Sequence, residues 1–531
     1  MASAHHRPSR LRSKAWPSAE PLLMILIWFA FAWFILWQAT FGPESVWQDS
    51  ESYVAIAAHP LWSTAFWAGT YPPLVPLFVK LTGSASGFLK DQGLLAVAVW
   101  GFLAVTVSRL QSTILSRLAI FTILLAFATV TPVVLWNRSV LSESASLSLV
   151  AALFAGLIVL TRDPSWPKIL IVITIAGLMV STRDSQIWTV GMLAVCSTVY
   201  AVFALRKDRR LGTMSAVLAI SLFAVVALAS WGAQHSKRDV VSVEGVLDVR
   251  VFPFPQRVAW FADHGMPQAV AIDNLAAQAV PPKPGQAQVV SISNTDPSFK
   301  ALTRWERERG PSTFAWWVVT HPTFLIAEPL VRPERSSNDA NGNLIYYAGL
   351  KRVDAPFTFV LWPTWWWLLV ATTAAAVSAT VSGAWRSRTW RVIVVLTAVG
   401  ILEMVVAWNA DGQEAARHTI EGFLEVRLGV LLLLLLGIFG TRKWRSLAQW
   451  KRHGRNNWNA LFNYCRHDAD ADRDLACLEM FDAVRKEGPT PRHPIRDWSS
   501  HKWNFEIGRQ VCIGLHRSPP VERKVHAARN V

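Results

Sequence analysis

Apolar runs of about 20 residues, the length that carries a helix across ~30 Å of hydrocarbon, recur along most of this sequence and decide what it can fold into. Ten such segments stand out: 21–41, 93–110, 118–136, 141–161, 169–182, 187–205, 214–232, 357–378, 392–408 and 423–440. Backbone polar groups in lipid must be satisfied within the segment itself, so these runs predict helices. The fifth run is short for a span, which sets the expected number at nine to eleven. The expected fold is therefore an all-α polytopic membrane protein of about ten transmembrane helices. The composition agrees, with 52% hydrophobic and only 17% charged residues.

The net charge of +16 follows from topology. Lys and Arg of short loops are retained on the cytoplasmic side. Arg7, Arg10, Arg12 and Lys14 precede the first run, and alternate connections then carry basic residues, among them Arg109, Arg117, Arg206, Arg209, Arg386 and Arg391. The expected arrangement is multi-pass in the plasma membrane, with the N-terminus and the tail cytoplasmic. A nucleic-acid partner is not needed to explain the charge, whereas contact of the basic tail with anionic membrane lipid is expected. A cleaved signal peptide at the first run is disfavoured by its long apolar core and by the lack of a small-x-small site.

Four modules follow: 1–233, whose first external loop spans 42–90; a large external loop, 234–355; the last membrane helices, 356–440; and a tail, 441–531. The large loop balances thirteen Lys/Arg against twelve Asp/Glu and is expected to be of mixed structure. Within it, 304–309 reads as helical, and 316–330 reads as an amphipathic segment lying on the bilayer. In the tail, Leu475, Leu478, Phe481 and Val484 share one helix face. Asp468, Asp470, Asp472 and Asp474 approach a calcium-loop spacing, but Arg473 replaces the turn glycine, and favourable charge at a helix N-terminus is the better reading. Cys196, Cys465, Cys477 and Cys512 show no metal-ligand spacing and are read as reduced thiols.

Chemistry points to the first external loop. There Trp47-Gln48-Asp49-Ser50-Glu51-Ser52-Tyr53 directly follows a span, and an aromatic stretch leads to Tyr71-Pro72-Pro73-Leu74. A carboxylate at a lipid boundary can serve as general base toward an acceptor hydroxyl, because partial desolvation raises its basicity. Asp49 is that candidate, against the plainer reading of Asp49 and Glu51 as solvated loop acids. Arg138, Glu143, Arg183, Asp184, Asp411, Glu414, Arg417 and His418 are expected at the same rim. Ionisable groups at membrane depth are costly, so their gathering there suggests a shared polar cavity. Glu51, Tyr53 and Glu143 are candidates for catalysis or acceptor binding. Arg138, Arg183, Arg417 and His418 are candidates for a donor phosphate, since guanidinium matches phosphate oxygens in a bidentate way.

The order of a first span, an external Asp with a Tyr four residues on, an aromatic stretch and Tyr-Pro-Pro-Leu resembles the GT-C superfamily of polyprenyl-phosphate-sugar glycosyltransferases. Protein O-mannosyltransferases and the lipid A aminoarabinose transferase are similar in this region. Leu141-Ser142-Glu143-Ser144 and His321-Pro322 resemble elements found at corresponding places in that superfamily. The resemblance implies a catalytic carboxylate at Asp49. The family's usual Asp-Glu pair is Asp-Ser here, with the second acid displaced to Glu51. It also implies a polyprenyl-phosphate sugar donor and a glycan, lipid or protein acceptor on the outer face. No cofactor is required on this reading, and a divalent metal is possible but not indicated. A non-enzymatic lipid or glycan carrier or flippase, and an inactive scaffold in envelope assembly, are the rival readings.

Overall fold

The computed structural model describes residues 19–41, 48–236, 238–279, 290, 292, 296–325, 357–362, 365–410 and 415–439. The chain divides into two units, Met1–Arg445 and Ser446–Val531. The second unit lies outside the described residues, and so do the expected tail helix, Asp411 and Glu414.

In chain order the elements are α1 (Ala19–Phe41), α2 (Gln48–Ala58), α3 (Leu74–Thr82), α4 (Ala85–Ser108), α5 (Ile114–Ala128), α6 (Glu143–Arg162), α7 (Trp166–Thr182), α8 (Gln186–Leu205) and α9 (Arg209–His235). A lobe of α10 (Arg238–Arg250), α11 (Pro255–Asp263), α12 (Ala269–Gln278), α13 (Lys300–Glu308) and α14 (Gly310–Thr320) comes next. The chain then returns through α15 (Trp365–Ser382), α16 (Arg388–Ala410) and α17 (Ile420–Phe439).

Seven of these, α1, α4, α6, α8, α9, α16 and α17, are long and apolar enough to cross a bilayer. This is an all-α, multi-pass membrane protein. The expected third span is a broken one, α5 followed by Thr131–Arg138 at a bend of 56°. Sequence explains the break: Val130 is extended and Pro132 opens the next turn, where a missing N–H costs nothing. α7, at 17 residues, rises only about 25 Å and is short for a full crossing.

Serine, threonine and aspartate caps start several helices. Ser84 accepts from the Gly87 N–H, Thr113 from Ser116 and Asp208 from Leu211. Gly83, at φ 68°, ends α3 in the left-handed conformation that glycine adopts without a Cβ clash.

Two helices form the centre. The apolar windows of α6 and α17 are 78% and 72% buried, against 22% for the peripheral α1. Close packing of α16 on α17 depends on small residues: a Cβ on Gly422 would lie 2.7 Å from Met404 Cγ and 2.8 Å from the Gly400 carbonyl oxygen. Such contacts are what draws helices together in lipid, where apolar burial alone gives no preference.

The described residues of the lobe contain helices and no strand. It has its own core, with Phe252, Phe261, Leu302, Trp305, Phe314 and Trp317 buried together. Within the segment expected to lie on the bilayer, described as far as Leu325, Trp317 and Phe324 are buried in this core while Trp316 and Val319 are exposed. Trp260 and Trp317 meet there at 4.9 Å, and His321 stacks on Trp317 at 3.6 Å. Among the contacts that dock the lobe on the helix rims are Arg238 to Asp184 at 2.7 Å, Arg238 to the Gly69 carbonyl at 2.9 Å, and Arg250 over the Trp408 ring at 4.2 Å.

Candidate active site

The stretch after α1 begins with a helix rather than a loop, and helical geometry sorts its residues. Asp49 and Tyr53 are four apart in α2 and share a face, while Glu51 lies on the opposite side and is exposed. Glu51 therefore does not share the face that Asp49 and Tyr53 present. The Ser50 hydroxyl donates to the Val140 carbonyl at 2.9 Å, which fastens α2 to the segment leading into α6.

Tyr71 reaches the same place from the turn before α3, where Pro72 and Pro73 restrict the backbone. Its hydroxyl donates to Asp49 Oδ1 at 2.7 Å, and its ring packs 4.8 Å from that of buried Tyr53. Burial and the neighbouring Asp49 carboxylate push the Tyr71 phenol above its ordinary range, so it stays a donor. Burial, and next the Glu143 carboxylate, push the Tyr53 phenol up as well.

From the far end of the sequence, Arg417 brings a guanidinium to the other Asp49 oxygen, with Nη1 2.7 Å from Oδ2. Its Nε donates to Glu143, the first residue of α6. Arg183, at the C-terminal end of α7, places Nη1 3.2 Å from Glu143 and 2.7 Å from Glu421 of α17. Its Nη2 lies 2.8 Å from His418 Nδ1; since arginine only donates, that imidazole nitrogen accepts. Five charged groups from four parts of the chain thus form one chain of contacts, Asp49–Arg417–Glu143–Arg183–Glu421.

The burial gradient along this chain is steep. Glu143 and Glu421 are 0% exposed and Arg183 5%, whereas the Asp49 side chain is 22% exposed. Three carboxylates against two guanidiniums leave an excess negative charge, and Asp49 is the member that meets the outside. Both of its oxygens are held in place, which is what a positioned base requires.

Other expected residues fall differently. Arg138 donates to Gln38 of α1 and forms no ion pair with Asp49, Glu143 or Glu421 among the described residues. Arg183 and Arg417, expected to face a donor phosphate, each contact two carboxylates. Asp184 pairs with Arg238 of the lobe.

Sequence reasoning did not identify Tyr71 as the partner of Asp49, nor Glu421, Glu403 and Glu425. Behind the cluster, Glu403 of α16 accepts from Gln186 at 2.9 Å and Thr189 at 2.5 Å, and Glu425 of α17 faces it. The available signal was an ionisable residue inside an apolar span, itself a marker of function. Among the described residues no group of three or more His, Cys, Asp or Glu is arranged to hold a metal ion.

No family model matches this chain, and no curated protein does. Among solved structures, an archaeal oligosaccharyltransferase, AglB from Archaeoglobus fulgidus in complex with an inhibitory peptide and a dolichol-phosphate, is similar over 88% of this chain at 12% identity and a TM-score of 0.38. This chain covers 55% of the length of that neighbour. Likeness of that degree leaves the residues of the site as the ground for any statement about activity.

Proposed function

We propose that this protein is a membrane glycosyltransferase of GT-C type, moving a sugar from a polyprenyl-phosphate donor to a cell-envelope glycan, lipid or protein acceptor on the outer face. One observation carries the reading: a partly exposed carboxylate, Asp49, held at one oxygen by Tyr71 and at the other by Arg417, at the edge of a buried charge network.

In the reaction, the acceptor hydroxyl oxygen attacks the anomeric carbon as its proton passes to Asp49. The carbon–oxygen bond to the lipid phosphate breaks, its electron pair stays on the phosphate, and configuration inverts. Protonation removes the charge that binds Arg417 to Asp49, so the guanidinium becomes available to the phosphate dianion formed in the same step. The Nε contact to Glu143 keeps the guanidinium at the site while its Nη1 changes partner. Both Asp49 oxygens are engaged by donors.

The orientation that serves this chemistry puts Asp49 on the non-cytoplasmic side, with the N-terminus and the tail inside, as the basic connections favour. The test is transfer by the purified full-length protein from a set of polyprenyl-phosphate sugars to envelope glycan, lipid and protein acceptors. A new glycosidic bond supports the reading. Movement of donor across vesicles with no bond formed would assign the protein to the carriers, and envelope defects on deletion with neither activity would make it a scaffold.

A further inference from the structure

A cavity of about 290 Å³ opens at the end of the helix bundle away from Asp49. Its walls come from the late part of α6, the start of α7, the later half of α8 and the beginnings of α9 and α16. Those same helices bear Glu143, Arg183 and Gln186 at their other ends. Leu157, on its wall, lies fourteen residues along α6 from Glu143, or about 21 Å of helix rise.

The lining is apolar, with Leu193, Met214, Leu218 and Leu396 prominent, and two arginines, Arg388 and Arg391, stand at the first turn of α16. Both arginines are exposed and have no carboxylate in ion-pair range among the described residues. The adjoining turn between α8 and α9 adds exposed Arg206, Lys207, Arg209 and Arg210. The one acid in that turn, Asp208, already accepts from the Leu211 N–H as the cap of α9.

We infer that this cavity is a binding site for one acyl chain of an anionic phospholipid of the cytoplasmic leaflet, with its headgroup phosphate on Arg388 and Arg391. An apolar slot ending in cations that have no carboxylate partner among the described residues matches the two chemistries of such a lipid along one axis. The volume is at the lower end for small-molecule pockets, which suits one chain rather than a whole lipid. By the retention of basic residues on the inner side, this is the cytoplasmic end of the bundle. The inference is independent of the proposed catalytic reading, because it uses none of the Asp49 network.

The experiment is native mass spectrometry of the full-length protein from delipidating detergent, titrated with phosphatidylglycerol or with phosphatidylcholine of the same chains. Two arginines contributing about 1 kcal/mol each toward an anionic headgroup give roughly 30-fold preference for the anionic lipid. Arg388→Gln with Arg391→Gln is expected to abolish that preference. Ser197→Phe, which fills the slot and leaves the basic residues, is expected to weaken retention at least tenfold; Ser215→Leu is the milder filling if that variant does not fold. Equal binding of the two lipids would overturn the inference. So would retention that survives filling of the slot, competition by millimolar inorganic phosphate, or displacement of the lipid by a second copy of the chain.

Discussion

Removal of the Arg183 guanidinium is the sharpest probe of the buried network. In Arg183→Met, Glu143 and Glu421 remain fully buried; Glu143 keeps Arg417, whereas Glu421 loses its only ion-pair partner among the described residues. Two opposite charges about 4 Å apart attract by about 4 kcal/mol at the effective dielectric typical of proteins. An unpaired charge left behind in the interior costs about 3–5 kcal/mol. The expected loss is therefore about 3–5 kcal/mol, read as a shift of the unfolding midpoint in mixed detergent–SDS micelles.

The double variant Arg183→Met, Glu421→Leu removes the orphaned carboxylate together with its partner. It is expected to recover at least half of the loss, because replacing a buried pair by apolar groups is close to neutral. If the single substitution costs less than about 1 kcal/mol, or the double variant is less stable than the single one, the network does not hold these helices together and the reasoning fails.

Three further expectations can be checked separately. Gly422→Val drives a branched side chain into Met404 and the Gly400 carbonyl, and should lower stability by about 1–3 kcal/mol in the same micelle assay. Tyr71→Phe leaves one Asp49 oxygen without its donor, and should reduce kcat about tenfold with little change in thermal stability, as steady-state transfer kinetics would show. In the lobe, burial, with Glu306 next, pushes the Asp248 carboxyl up to about 8, and burial, with Glu244 next, pushes that of Glu306 up to about 7. Above pH 4 the unfolded chain has released these protons while the folded lobe still binds them. Lobe stability should therefore fall as pH rises from about 4 to 8, and Asp248→Asn should flatten that slope in protease-resistance measurements.

The membrane architecture was legible because hydropathy is local: the described part of each of the ten apolar runs is mostly helix, and seven of the runs fall in helices long and apolar enough to cross a bilayer. The 56° break was harder to foresee, since its residues are as apolar as their neighbours and only Pro132 marks it. Asp49, Glu143, Arg183, Arg417 and His418 were visible as polar groups at span ends, and the structure brings them together. Their pairing was not visible, because Arg183 meets Glu421 across 238 residues and Arg417 meets Glu143 across 274. Glu421 was hidden at the edge of a strongly apolar run. Glu51 was grouped with Asp49 because the segment read as a loop; helical spacing separates them and joins Asp49 to Tyr53 instead. The hydrogen bond from Arg138 to Gln38 of α1 was likewise not visible, because it joins residues a hundred positions apart.

The most direct measurement is the rate of sugar transfer by Asp49→Asn beside the wild type and Asp49→Glu, with folding and donor binding of each verified. Asparagine keeps the shape and the approach of Tyr71 but cannot take a proton, so the rate should fall by roughly 10²- to 10⁴-fold, the contribution of a positioned base, with partial activity in Asp49→Glu. Transfer by Asp49→Asn at the wild-type rate would show that the acceptor proton goes elsewhere.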